Sequence, residues 1–147
     1  MVKNKKNNSA FFKFLLIPFL ILVDQLTKII VQLTNPSVDL KIFAITFVKN
    51  TGAIWGSFKD SNTAFIWISI MAIGLLVYFY DQIPDKAQVF LYLVLAGIIG
   101  NLIDRIFRGY VLDFIDFKFW PVFNFADSFI CIGIIGMVIF LLKEKEK

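Results

Sequence analysis

Between Asn101 and Asp127 the chain carries four aspartates, Asp104, Asp113, Asp116 and Asp127, in or beside stretches apolar enough to enter a lipid bilayer. An ionisable group at the centre of a membrane costs about 2.5–3.5 kcal/mol on insertion scales, so such residues face a protein interior or a water-filled cavity and work there. Asp113 and Asp127 are the candidate catalytic pair. Two carboxylates brought close cannot easily both ionise, so one keeps a proton while the other acts as base. Hydrolysis of a peptide bond by carboxylates needs that arrangement: one activates water, and the other polarises the carbonyl and later protonates the leaving nitrogen. On residue type and spacing alone, a dyad and two separate structural carboxylates both stay open.

Other chemistry is narrowed by what the chain lacks. There is no histidine, which removes Ser/His/Asp triads, Cys/His dyads and HExxH zinc sites together. A single cysteine, Cys131, excludes an intrachain disulfide, and between Ile130 and Ile132 it reads as a small buried apolar side chain.

The remaining polar residues fall into three groups. Asp24 and Lys28, four positions apart, share one helical face as an ion pair, either supporting the structure or touching substrate. Gly97, Gly100, Asn101, Asp104 and Arg105 form a stripe of small and polar residues that faces protein rather than lipid. There Asp104 and its neighbour Arg105 are expected as a charged anchor near the helix end, and the stripe serves as a packing seam or as a ligand site. In Phe123–Ser128 the better N-terminal cap is Asn124, which leaves Asp127 one turn inside with Ser128 on the same face. Asp116, three residues past Asp113, reads as peripheral.

These groups need a scaffold. The 147 residues are 59% hydrophobic and 18% charged, with a mean hydropathy of +0.77, which marks an integral membrane protein. Phenylalanine, at 18 residues, suits lipid-facing surface and argues against disorder or nucleic-acid binding. The net charge of +4 traces instead to Lys3, Lys5, Lys6 and Lys13 at one flank and Lys143, Lys145 and Lys147 at the other. By the positive-inside rule both termini are cytoplasmic.

A spanning helix takes about 20 mainly apolar residues, and four segments come close: residues 10–33, 63–80, 87–107 and 123–142. The first resembles a signal peptide but is expected to be retained, because no small-x-small cleavage pattern follows it. Asp81–Lys86, with Pro84, forms a short cytoplasmic turn. The other two connections face outward. Lys41–Lys49 reads as a strand followed by a turn at Asn50–Gly52, and Tyr110–Phe117 as a short strand ended by Pro121. The expected fold is an all-α membrane protein: four transmembrane helices in a single domain, 1–147, with a small extracytoplasmic β-strand region and a short outer loop.

Five segments in order, Asp24–Lys28, Asn50–Ala53, Gly100–Arg105, Gly109–Phe114 and Phe123–Asp127, together resemble the lipoprotein signal peptidases, or signal peptidase II. The resemblance implies that Asp113 and Asp127 are the catalytic dyad. It gives supporting or substrate-binding roles to Asp24, Lys28, Asn50, Gly52, Asn101, Asp104, Arg105 and Asn124. The implied reaction removes the signal peptide of a prolipoprotein before a cysteine that already carries diacylglyceryl, with no cofactor or metal. Further implications are an outward-facing site in the cell membrane, lateral entry of substrate from lipid, and inhibition by globomycin-type cyclic peptides; a monomer without a nucleic-acid partner is expected. Ile54–Trp55 departs from the family, which more often has alanine then phenylalanine in this cradle over the site, and Lys118–Val122 is short.

Three rivals stand beside this reading. A small transporter would use Asp24, Asp104 and Asp127 to carry protons or cations. A membrane phosphotransferase would hold magnesium on paired aspartates, but its Asp-Gly-x-x-Ala-Arg pattern is absent from the sequence. A non-enzymatic scaffold would neutralise each outer aspartate with Lys or Arg.

Overall fold

The computed structural model describes residues 2–36, 38–52 and 61–145, with side chains from residue 15 onward. The expected cradle residues Ala53, Ile54 and Trp55 lie outside the described residues. In order, the elements are α1 (Val2–Thr34), β1 (Val38–Leu40), β2 (Phe43–Asn50), α2 (Asn62–Tyr78), a 3-10 turn (Tyr80–Gln82), α3 (Gln88–Phe107), β3 (Val111–Asp116) and α4 (Phe125–Lys145).

Among the described residues, three helices are long and apolar enough to cross a membrane: Leu15–Thr34 within α1, then α3 and α4. The second segment is shorter than the expected 63–80. At 17 residues α2 is about 25 Å long, against about 30 Å of hydrocarbon. It ends where Phe79 N–H reaches Leu75 O and Gln82 N–H reaches Phe79 O, both at 3.0 Å, tightening into the 3-10 turn. Beyond it Ile83 is extended, at φ −88 and ψ 125, as a residue before proline prefers to be.

The central helix is α3, against which α4, α1 and α2 all pack. It buries Leu91, Val94, Leu95, Ala96, Gly97, Gly100, Asn101 and Asp104, so the small-and-polar stripe does face protein. Glycine is required where the helices close up. A Cβ at Gly133 of α4 would lie 2.6 Å from Phe90 O on α3, and one at Gly100 would lie 2.8 Å from Asp24 Oδ2 on α1. Outside these seams Trp67, Met71, Leu75, Ile134, Ile135 and Leu142 are exposed, a surface suited to hydrocarbon. Cys131 belongs to that surface. It is exposed rather than buried as its isoleucine neighbours suggested, because apolar flanks mark a lipid-facing wall as readily as an interior.

The sheet closes one end of the bundle, against the ends of α1 and α3. Its order is β1-β2-β3, antiparallel throughout. The short β1 was not expected. Leu112 and Phe114 of β3 seat the sheet on Val31 of α1, with Ile45, Phe47 and Phe125 around them.

The pairing of β2 with β3 is irregular. Ile45 pairs with Ile115, but Val48 pairs with Asp113 and Asn50 with Val111, so β2 carries an extra residue. Because a one-residue slip moves every side chain to the opposite face, this bulge decides that Asn50 emerges on the same face as Asp113.

Candidate active site

Asp113 lies in the middle of β3 and is 2% exposed. Its Oδ1 accepts the side-chain amide of Asn124 at 2.6 Å, and its Oδ2 accepts that of Asn50 at 2.9 Å. Asn50 is itself braced, since its Oδ1 accepts the Gly52 N–H at 3.1 Å. Burial first, and then the charge of Asp127, push the Asp113 carboxyl up from 3.8 to about 7. The amides of Asn50 and Asn124 and the ammonium of Lys28 pull the other way, because each favours the ionised form.

Asp127 sits in the first turn of α4, half-buried. Asn124 is the N-cap as expected. Its Oδ1 accepts the Asp127 N–H at 3.0 Å while Asp127 Oδ2 accepts the Asn124 N–H at 3.2 Å, a reciprocal capping box. The other oxygen, Asp127 Oδ1, accepts the Asn101 amide at 2.7 Å. Asn124 therefore touches both carboxylates, one with its side-chain amide and the other with its backbone N–H. Ser128 does not join them, its hydroxyl donating back to Asn124 O at 3.1 Å.

Below the two carboxylates lies a fully buried charged layer. Lys28 Nζ contacts Asp24 Oδ2 at 2.8 Å and Asp104 Oδ2 at 2.9 Å, and it donates to Asn101 Oδ1 at 3.1 Å. The expected Asp24–Lys28 pair is present, and a second carboxylate shares the same cation. The expected Asp104–Arg105 anchor is not what forms. Adjacent residues on a helix diverge by about 100°, so Arg105 points away while Arg108, four residues on, lies over Asp104 and pairs with it. Asp104 itself is fully buried in protein.

Arg105 turns to the α2 side of α3, its guanidinium 5.1 Å from the centroid of Phe65 and within electrostatic reach of Asp127 and Asp113. Asp116 is peripheral. Its Oδ1 accepts the Lys118 N–H at 2.7 Å, and Lys118 bridges 3.1 Å to Asp39 on β1.

Two further participants, Gln25 and Arg108, were not expected. Gln25 donates to Asp24 Oδ2 at 3.1 Å, to Gly100 O at 3.1 Å and to Asp104 Oδ1 at 3.0 Å, while its Oε1 accepts Arg108 at 3.2 Å. Arg108 had a legible signal in its spacing of four from Asp104. Gln25 had none beyond its position beside Asp24.

All ten residues singled out from the sequence belong to one end of the bundle. Asp113, Asp127, Asn50, Asn101 and Asn124 form one connected amide–carboxylate cluster. Asp24, Lys28 and Asp104 form the charged layer joined to it through Asn101. Gly52 braces Asn50, and Arg105 stands to one side.

A family model described as signal peptidase (SPase) II matches residues 16–143. The lipoprotein signal peptidase of Thermodesulfovibrio yellowstonii is 40% identical over 138 residues, covering 87% of this chain and 90% of its own. That of Halothermothrix orenii is 34% identical, covering 90% of this chain and 97% of its own, and that of Staphylococcus aureus strain Newman is 39% identical, covering 88% and 89%. Two solved structures, each described as a bacterial membrane enzyme, share the fold. One has a TM-score of 0.81 at 37% identity, covering 91% of this chain and 89% of that one, and the other 0.77 at 38%, covering 90% and 93%. The transporter reading of the buried aspartates finds no support in these similarities.

Proposed function

This chain belongs to the signal peptidase II family, and from that premise we propose that it is an aspartic endopeptidase whose dyad is Asp113 and Asp127. The observation that carries the proposal is the double contact of Asn124, which ties one carboxylate to the other. The substrate is a prolipoprotein already modified with diacylglyceryl, cut on the N-terminal side of the lipidated cysteine.

In the proposed cycle the pair shares one proton, held on Asp113 because it is the more deeply buried of the two. Ionised Asp127 takes a proton from the attacking water as its oxygen bonds to the scissile carbonyl carbon. Asp113 donates its proton to the carbonyl oxygen to give a tetrahedral diol, and as the C–N bond breaks Asp127 passes its proton to the leaving nitrogen while the diol hydroxyl returns a proton to Asp113. The dyad ends with one proton, as it began. No metal or cofactor takes part.

The four helices each cross the bilayer, with α2, the shortest, accommodated by local thinning of the membrane. Both termini are cytoplasmic, which sets the sheet and the dyad at the outer face, where water meets a substrate arriving laterally from lipid. Asn50, Gly52, Asn101, Asn124 and Arg105 shape the site and hold substrate. The enzyme works as a monomer, and a globomycin-type cyclic peptide inhibits it by occupying the site.

The test is cleavage of a diacylglyceryl-modified prolipoprotein by Asp113→Asn and Asp127→Asn, each purified folded from membrane. Each loses at least about a hundredfold in kcat, the contribution expected of a positioned acid or base. The wild type keeps full activity in the presence of a chelator. Wild-type-like cleavage by either variant sinks the dyad, and loss on chelation restores the metal-dependent rival.

A further inference from the structure

The charged layer beneath the dyad has a specific wiring. An ammonium has three N–H donors and no acceptor, and Lys28 faces three acceptors: Asp24 Oδ2 at 2.8 Å, Asp104 Oδ2 at 2.9 Å and Asn101 Oδ1 at 3.1 Å. Each acceptor in turn holds one part of the dyad. Asp104 Oδ2 accepts the backbone N–H of Leu112 at 3.2 Å, the residue just before Asp113. Asp24 Oδ1 accepts the backbone N–H of Ala126 at 3.0 Å, the residue just before Asp127. Asn101 donates its amide to Asp127 Oδ1 at 2.7 Å.

We propose that Lys28 is the positioning residue of the dyad: one buried ammonium on α1 fixes where β3 presents Asp113, where α4 presents Asp127, and which way the Asn101 amide points.

The last of these follows from donor and acceptor chemistry. Because Lys28 can only donate, the Asn101 atom facing it must be oxygen, which leaves the Asn101 nitrogen towards Asp127. Asn124 Nδ2 adds a second donor to the same oxygen at 3.2 Å. With Lys28 neutral or absent, the amide loses a principal reason to keep that orientation. Asp24 and Asp104 would then face one another across the seam at Gly100 with their shared cation gone, which loosens both backbone anchors at once. A separation error of about 1 Å between reacting groups can cost on the order of a hundredfold in rate. Lys28 is 0% exposed, and its three donors are already used, so it acts through these partners and not on substrate.

The inference rests on the assignment of Asp113 and Asp127 as the dyad, and the experiment separates the two. Kinetic constants are measured on a diacylglyceryl-modified prolipoprotein peptide for the wild type, Lys28→Arg, the double variant Lys28→Met with Asp24→Asn, and the controls Asp113→Asn and Asp127→Asn. Thermal unfolding is followed in detergent. The double variant removes one buried cation and one buried anion, so the net charge of the layer is unchanged. The expected result is a kcat at least tenfold lower, with KM within about threefold of wild type, in a protein that unfolds cooperatively. Lys28→Arg keeps the charge but spreads its donors over a planar fork, and it shows the same split.

A folded double variant with kcat within twofold of wild type overturns the positioning role. If the double variant does not fold, Lys28→Arg decides by the same criterion. If neither folds, Lys28 is structural only and the proposal also falls. Active Asp113→Asn or Asp127→Asn enzyme overturns the dyad itself, whatever the Lys28 variants do.

Discussion

Removing the Asn50 amide should move the alkaline limit of activity upward. Asn50 donates to Asp113 Oδ2 at 2.9 Å, and a donor of that kind stabilises the ionised carboxylate, so the variant Asn50→Ala makes Asp113 harder to ionise. A hydrogen bond to a charged group is worth about 1.5–3 kcal/mol. Asn50 is only half-buried, so the lower end applies, and at about 1.36 kcal/mol per unit the shift is about one unit. Burial and the charge of Asp127 push Asp113 up to about 7, so the proposed dyad is expected to lose its shared proton there and kcat/KM to turn down. In Asn50→Ala that downturn falls at about pH 8. The assay is the pH profile of kcat/KM on a diacylglyceryl-modified peptide, which reports the free enzyme. Asn50 also braces the Gly52 N–H, so the plateau height will drop as well, but a loosened loop lowers the whole profile without displacing its limb. A limb that stays put, or moves to lower pH, refutes the reasoning.

Two further outcomes concern stability. Burial raises the folded-state value of Asp113 from 3.8 to about 7. Its cost to the fold is therefore absent below about pH 4, grows through the window between these values and is complete above about 7, on the order of 4 kcal/mol. Asp113→Asn removes that ionisation, so its melting temperature relative to wild type should rise between about pH 4 and pH 8; a difference that is constant or falls with pH contradicts the assignment. Gly100→Ala should lower the melting temperature, by about 1–3 kcal/mol in stability. Its Cβ would lie 2.8 Å from Asp24 Oδ2, and Lys28 at 2.8 Å and Gln25 at 3.1 Å leave that oxygen nowhere to go. An unchanged melting curve would mean α1 is free to move away from α3.

The helices were legible because lipid-facing surface imposes long apolar runs, and the polar exceptions within those runs marked the buried amide–carboxylate cluster. Spacing of four located the Asp24–Lys28 pair, and cap chemistry located Asn124. Asp104 shows where such reading stops. Adjacency in sequence suggested Arg105, while helix geometry favoured Arg108, and nothing in α1 announced that Lys28 would serve Asp104 as well as Asp24. The anchors on Leu112 and Ala126 were out of reach for a different reason: they are backbone N–H groups, and every residue but proline has one. The bulge in β2 carries no turn residue to betray it, and yet it sets Asn50 beside Asp113. Cys131 was misplaced because apolar sequence does not distinguish a protein interior from a lipid-facing wall.

Charge at one end of an apolar bundle is tolerated here because it is sorted into two kinds. Asp24 and Asp104 carry two negative charges, and Lys28 and Arg108 carry two positive ones, all in direct contact, so the layer is neutral and its burial cost is largely offset within itself. Among the described residues, Asp113 and Asp127 have no cation within 4.0 Å and rely instead on amides from Asn50, Asn101 and Asn124. Amides hold a carboxylate in place while favouring its ionised form less strongly than a full positive charge does, so its proton is not excluded. A lysine in contact would instead lock it ionised. Pairing cations with Asp24 and Asp104 while giving Asp113 and Asp127 only amides thus suits a pair that must keep a proton mobile in the proposed cycle. The variant Asn50→Lys tests this directly: it should preserve the contact with Asp113, pull the alkaline limb of the pH profile downward rather than upward, and lower kcat even where the fold is kept. An alkaline limb that stays in place or rises in that variant would show that the charge of the donor is immaterial to the dyad.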